Sequence, residues 1–258
     1  MIFPIRDENP QILIPYVTYG LIAANIISWL VLQRVGVEPG LSASVCAFGL
    51  IPADLTGAEY SSSLQMCEID GQPDWHTLAS AMFMHGSWMH LIGNMWFLWI
   101  FGNNVEDAMG SARFLTFYIV AGLAASMAQI LADSGSVIPM VGASGAIGGV
   151  MGAYIVLYPR VHVHMFVMII FRSFAVPAFL MLGYWIAVQF MGVYSSRGNT
   201  GGGVAFWAHI GGFLAGALLI FVFKNEKLLA QHQYRGWKQK SHNETVWQKV
   251  PTKNQRWQ

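Results

Sequence analysis

The sequence predicts an all-α membrane protein, a bundle of six transmembrane helices with a long first outer loop. Two observations carry that expectation. Of 258 residues, 55% are hydrophobic and only 10% charged, whereas a soluble domain carries about 25% charged residues and needs them to cover its surface. The apolar residues also gather into six separate stretches. The 10 Trp and 14 Met suit lipid-facing and interfacial positions. A net charge of +1 leaves no basic excess to neutralise phosphates, so no nucleic-acid partner is expected. The same composition excludes disorder and fibrous repeats.

The stretches cover residues 16–32, 88–101, 114–131, 144–158, 177–194 and 204–223. Several fall short of the ~20 residues of an ideal span, and their flanks extend them by a turn. Residues 165–171 are too few to cross and read as an interfacial or re-entrant piece, with His162 and His164 as loop residues beside it. No A-x-A site follows the first stretch, so a cleavable leader is not expected.

Charge orients the bundle. After Phe223, eight basic residues (Lys224, Lys227, Arg235, Lys238, Lys240, Lys249, Lys253, Arg256) face only Glu226 and Glu244, a net +6 that keeps the tail in the cytoplasm. Residues 33–87 hold Arg34 against Glu38, Asp54, Glu59, Glu68, Asp70 and Asp74, a net −5, and fall outside by the helix count. Arg113 and Arg160 land inside, and Arg197 is the outer exception. The division is therefore a six-helix membrane domain over 1–224, with outer loop 33–87, and a basic cytoplasmic tail over 225–258. The 55-residue loop is too long for a plain connector and reads as a small folded cap. The tail reads as a solvated extension near anionic headgroups.

Three polar groups interrupt the apolar stretches, where such side chains are costly and point to function. They are His85…His90…Asn94 opening the second, Gly142-Ala143-Ser144-Gly145 opening the fourth, and Ala208-His209-Ile210-Gly211-Gly212 in the sixth. All three spans run from outside to inside, so these groups share one depth near the outer surface. Ser144 and His209 are the pair that nucleophilic catalysis needs, since a serine hydroxyl is activated by an imidazole that takes its proton. His90 and Asn94, four apart, stack on one helical face and can donate to an oxyanion, as can the backbone N–H of Ser144 at a helix start. Glu106 lies 12 residues beyond Asn94, ~18 Å down the helix, so the pair has no acidic third member. Gly145 and Gly149, Gly148 and Gly152, and Gly212 and Gly216 are small-xxx-small pairs that let the fourth and sixth helices approach.

These segments, with Gly102-Asn103-Asn104-Val105-Glu106-Asp107-Ala108-Met109-Gly110, resemble the rhomboid family of intramembrane serine proteases in identity and order. The resemblance covers about residues 10 to 224. It implies Ser144 as nucleophile and His209 as general base, with His90, Asn94 and the Ser144 amide stabilising the oxyanion. Glu106 and His85 look structural in this comparison, as do Gly142, Gly145, Gly212 and Gly216. It further implies a protein of the lipid bilayer whose substrates are single-pass transmembrane proteins with small, helix-weakening residues near the outer boundary, cleaved in or near their transmembrane helix. No cofactor and no metal are called for.

Two positions depart from the family's pattern. Gly148 stands where some members carry an aromatic that stacks on the catalytic histidine, and the sequence names no substitute. Trp75-His76 stands where many carry Trp-Arg. The alternative to a protease is a catalytically inactive relative that binds membrane proteins. The compact form points to a bacterial inner membrane with the site facing outward. Cys46 and Cys67, the only cysteines, share the outer loop, and the sequence leaves open whether they form a disulfide.

Overall fold

The computed structural model describes residues 2–59, 66–69, 72–196, 204–236 and 238–239; Asp70, Arg197, Lys240, Glu244, Lys249, Lys253 and Arg256 of the charge count lie outside them. Among the described residues, six helices of 14 residues or more dominate: α1 (Tyr16–Val31), α5 (Trp88–Met109), α6 (Ser111–Ala132), α7 (Ser144–Leu157), α8 (Ala178–Ser195) and α9 (Phe206–Phe223). Between α1 and α5 lie the short helices α2 (Gly40–Phe48), α3 (Pro52–Thr56) and α4 (Thr77–Ser80). Among the described residues, three helices, α6, α8 and α9, are long and apolar enough to cross a membrane; α1 and α7 are apolar but shorter.

Helix α5 begins where the Ser87 side chain accepts the His90 N–H, a side-chain cap. It continues eight residues past the apolar stretch, through Gly102-Asn-Asn-Val-Glu-Asp, because those polar side chains find partners in the interior. Glu106 accepts from Val17 N (3.1 Å), Thr18 N (2.8 Å), Thr18 Oγ1 (2.8 Å) and Ser111 Oγ (2.6 Å). Its carboxyl oxygens thus satisfy orphan N–H groups at the N-terminus of α1. Asp107 accepts from Ile12 N and Leu13 N in the segment that leads into α1. At the far end Arg113 donates to the carbonyls of Phe223 (3.5 Å) and Lys224 (3.3 Å), which terminate α9.

Helix α7 is central, buried along nearly its whole length. A Cβ on Gly212 would collide with the carbonyl oxygen of Gly145, and one on Gly216 with that of Gly149. Backbone therefore meets backbone between α7 and α9, the close approach that the paired glycines allow.

The all-α expectation needs correcting, because a three-stranded antiparallel sheet flanks the bundle. Its strands are β1 (Ile2–Asp7), β2 (His162–Val167) and β3 (Arg172–Pro177), in the order β1-β2-β3. Residues 165–171, expected as an interfacial or re-entrant piece, lie in the β2–β3 hairpin. Phe3 pairs with Phe166, and Met165 with Phe174. A run this short satisfies its backbone by strand pairing rather than within a helix. Trp96 Nε1 donates to the Pro4 carbonyl (2.6 Å), laying β1 against α5. His162 and His164 are strand rather than loop residues, flanking Glu8, with His164 Nε2 2.8 Å from Glu8 Oε1.

The start of the tail is no free extension. Helix α10 (Glu226–Leu229) turns the chain back, Leu229 and His232 are buried, and Gly236 N donates to Leu157 O (2.6 Å). Strands β4 (Tyr234–Arg235) and β5 (Lys238–Gln239) pair beyond it.

In the segment between α1 and α5, Cys46 of α2 and Cys67 form a disulfide, with Cα atoms 5.3 Å apart. A bridge between Leu50 and Met140 ties the same segment to the α6–α7 connection.

Candidate active site

Helices α5, α7 and α9 bring four of the expected side chains around one cavity of about 570 Å³, lined by Ser144, His209, His90, Asn94, Gly142 and Trp185 among others. Ser144 is the first residue of α7, and His209 lies one turn into α9. Their side chains are hydrogen-bonded, Ser144 Oγ to His209 Nε2 at 2.8 Å. The glycine contacts make this possible: Gly145 directly follows Ser144, Gly212 lies one turn beyond His209, and their backbones touch.

The opposite wall comes from α5. Gly86 N–H donates to His90 Nδ1 (3.4 Å), which leaves His90 Nε2 to carry the ring proton. That nitrogen faces Gly142, where an added Cβ would lie 2.6 Å from His90 Nε2 and 3.4 Å from Asn94 Nδ2. Gly142 sits at φ +121°, a conformation that only glycine adopts without strain, and its N–H donates to Ala81 O (2.9 Å). Asn94 Nδ2 is 3.0 Å from His85 Nε2. His85 is held in turn by Gln33, whose amide accepts from His85 N (2.8 Å) and donates to His85 O (2.6 Å). An amide has two N–H groups. With one on His85, Asn94 keeps the other for the cavity.

Glu106 takes no part in this cavity; its carboxylate is spent at the N-terminus of α1. Sequence reasoning missed Gln33 and, more consequentially, Gln189. Gln189 Oε1 lies 2.7 Å from His209 Nδ1, the ring nitrogen opposite the serine. Trp185, one turn earlier on α8, sets its ring 5.8 Å from the imidazole at an interplanar angle of 39°. One signal was legible: Gln189 is the single amide in an 18-residue apolar helix, and polar groups in such helices mark functional positions. Among the described residues, no group of three His, Cys, Asp or Glu side chains could hold a metal ion.

A histidine hydrogen-bonded to a serine, walled by donors inside an apolar bundle, defines a class: an integral membrane protein with the equipment for acyl transfer. The chain belongs to the rhomboid family. Residues 72–226 match the family model described as the Rhomboid domain. The chain is 33% identical over 207 residues to "Rhomboid protease GluP" of Bacillus subtilis, covering 80% of this chain and 35% of that protein. It is 30% identical over 148 residues to "Rhomboid protein 1, mitochondrial" of Saccharomyces cerevisiae, covering 55% of this chain and 40% of that one. The matches thus span well under half the length of these relatives.

Proposed function

We propose that this protein is an intramembrane serine endopeptidase that cleaves transmembrane segments of membrane proteins with Ser144 and His209. The observation that carries the reading is the 2.8 Å bond between Ser144 Oγ and His209 Nε2 inside a cavity of the helix bundle. In the first step the Ser144 Oγ–H proton passes to His209 Nε2 as Oγ bonds to the scissile carbonyl carbon. The carbonyl π pair moves onto oxygen. His90 Nε2–H, the free Asn94 N–H and the Ser144 backbone N–H stabilise that oxyanion. His209 then returns the proton to the leaving nitrogen as the C–N bond breaks, and water resolves the acyl-enzyme by the same path. Glu106, Gly142, Gly145, Gly212 and Gly216 serve the scaffold.

In this reading α1, α5, α6, α7, α8 and α9 all cross the bilayer, forming the domain 1–224 ahead of the tail 225–258. The net −5 of residues 33–87 and net +6 of the tail support an outer loop and a cytoplasmic tail. The disulfide in that loop suits an oxidising outer face. A bacterial inner membrane, with the site toward the outer side, fits this arrangement.

Purified protein reconstituted with a single-pass reporter, carrying small residues near its outer boundary, tests the proposal. Wild type is expected to cut within or beside the reporter's transmembrane segment, and Ser144→Ala and His209→Ala to leave it whole. Equal cleavage by Ser144→Ala would remove the proposal. Capture of the reporter without cleavage by wild type would replace it with an inactive, membrane-protein-binding role.

A further inference from the structure

A serine–histidine pair works only while the imidazole holds one tautomer. His209 Nε2 must be bare to take the Ser144 proton, so Nδ1 must carry the hydrogen. An imidazole with an unengaged Nδ1 samples both tautomers and turns about its ring bond. Soluble enzymes commonly solve this with a carboxylate, but burying that charge among apolar helices is costly. A neutral oxygen that accepts the Nδ1 hydrogen achieves the same selection without the charge.

Gln189 supplies that oxygen. Its Oε1 lies 2.7 Å from His209 Nδ1. The amide is itself held in the required sense, because Gln189 Nε2 lies 3.1 Å from the carbonyl oxygen of Trp185, which can only accept. Turning the amide over would set its oxygen against that carbonyl and its NH₂ against His209, selecting the wrong tautomer. Gln189 is only 6% exposed on a helix without a charged residue, so an amide with either end unpaired would be expensive there.

The glycine at 148 explains why the orienting group comes from α8. A Cβ at Gly148 would sit 3.0 Å from the His209 carbonyl oxygen. The backbone of α9 thus lies directly against α7 at this position. Trp185 and Gln189, spaced i and i+4, share the face of α8 that meets His209. Trp185 lies against the ring and against Phe213, while Gln189 Oε1 lies 2.7 Å from Nδ1.

We infer that Gln189 is the positioning residue of this site, making Ser144–His209–Gln189 a charge-neutral relay in which the amide fixes the His209 tautomer and orientation. The inference rests on the proposed protease reading and adds to it the group that its histidine lacked.

The test uses the full chain in proteoliposomes with the transmembrane reporter. Gln189→Met keeps the length and removes the acceptor; Gln189→Glu keeps an acceptor. Loss of an orienting carboxylate in a serine protease costs about 10⁴ in kcat. A neutral partner is worth less, so Gln189→Met is expected to lose about 10- to 100-fold in kcat with KM unchanged. Labelling of Ser144 by a fluorophosphonate should slow by the same factor, and Gln189→Glu should recover most of it above neutral pH. Wild-type kcat in Gln189→Met, a rise in KM alone, or Gln189→Glu as slow as Gln189→Met would each overturn the inference. Nitrogen-15 NMR of the wild-type histidines, with His209 assigned by comparison with His209→Asn, tests it without a Gln189 variant. A hydrogen on Nδ1 is expected, and a hydrogen on Nε2 would overturn it. Cleavage surviving in Ser144→Ala would instead sink the protease reading, whereas an inert Ser144→Ala beside a fully active Gln189→Met sinks the Gln189 inference alone.

Discussion

Gly142→Ala perturbs the cavity wall of His90 and Asn94, to which the proposal gives the oxyanion, while leaving Ser144 and His209 in place. The added methyl would start 2.6 Å from His90 Nε2 and 2.7 Å from His90 Cε1, against an ordinary contact of 3.4 Å or more. The His90 ring must therefore retreat by about 0.8 Å, enough to spoil a hydrogen bond made at a fixed point in space. Losing one such donor costs about 10²- to 10³-fold in kcat. The backbone contributes separately, since alanine at φ +121° is strained by about 1–3 kcal/mol. The expected variant is folded, melts at lower temperature, binds reporter with an unchanged KM and turns it over at least 100-fold more slowly. Steady-state cleavage in proteoliposomes, with thermal melting alongside, measures both parts. A Gly142→Ala protein with wild-type kcat would refute the assignment of His90 and Gly142 to the oxyanion wall.

Asn94→Ala should lower kcat by about 10- to 10³-fold and leave partial activity, because His90 and the Ser144 amide remain as donors; a raised KM at constant kcat would assign Asn94 to substrate recognition instead. The Cys46–Cys67 bridge closes a separation of 21 residues, so its loss should destabilise the protein by about 3 kcal/mol in the chain-entropy model. Protein alkylated before lysis should show no free thiol by mass spectrometry, and two alkylated cysteines would reject the bridge. Asp7, in β1, accepts from Tyr154 OH (2.5 Å) and Asn104 Nδ2 (2.7 Å), and burial pushes its carboxyl up to about 6. Its folded-state value lies above the unfolded one, so its stabilisation is complete below about 4 and is lost as pH rises through about 6. Melting temperature should therefore fall over that interval more steeply in wild type than in Asp7→Asn, and parallel curves would contradict the placement of Asp7.

How much of this was legible in the sequence depends on the range of each interaction. Helix positions were legible because apolar stretches report burial locally; the stretch at 204–223 and helix Phe206–Phe223 differ by two residues. The meeting of Ser144 with His209 was legible through the glycine spacing of their two helices. The sheet was not, because β2 finds its partner β1 some 160 residues away and neither strand is stable alone. The disulfide stayed open because sequence carries no Cα separation. Gln189 was hidden for a related reason: a lone glutamine looks the same whether it bonds within its own helix or reaches the next. It does both, to Trp185 and to His209. The polar end of α5 was underestimated because the partners of Glu106 and Asp107 lie near residues 12–18, beyond the reach of a local pattern.

The central claim is that His209 activates Ser144 as a nucleophile. Intact-mass analysis after exposure to a fluorophosphonate tests it most directly, because the reagent forms a bond only with an activated serine hydroxyl. The account predicts a single adduct, mapped to Ser144, that forms in wild type, is absent from Ser144→Ala and is abolished or slowed by orders of magnitude in folded His209→Ala. An adduct on another serine, or Ser144 labelling that proceeds equally fast without His209, would contradict it.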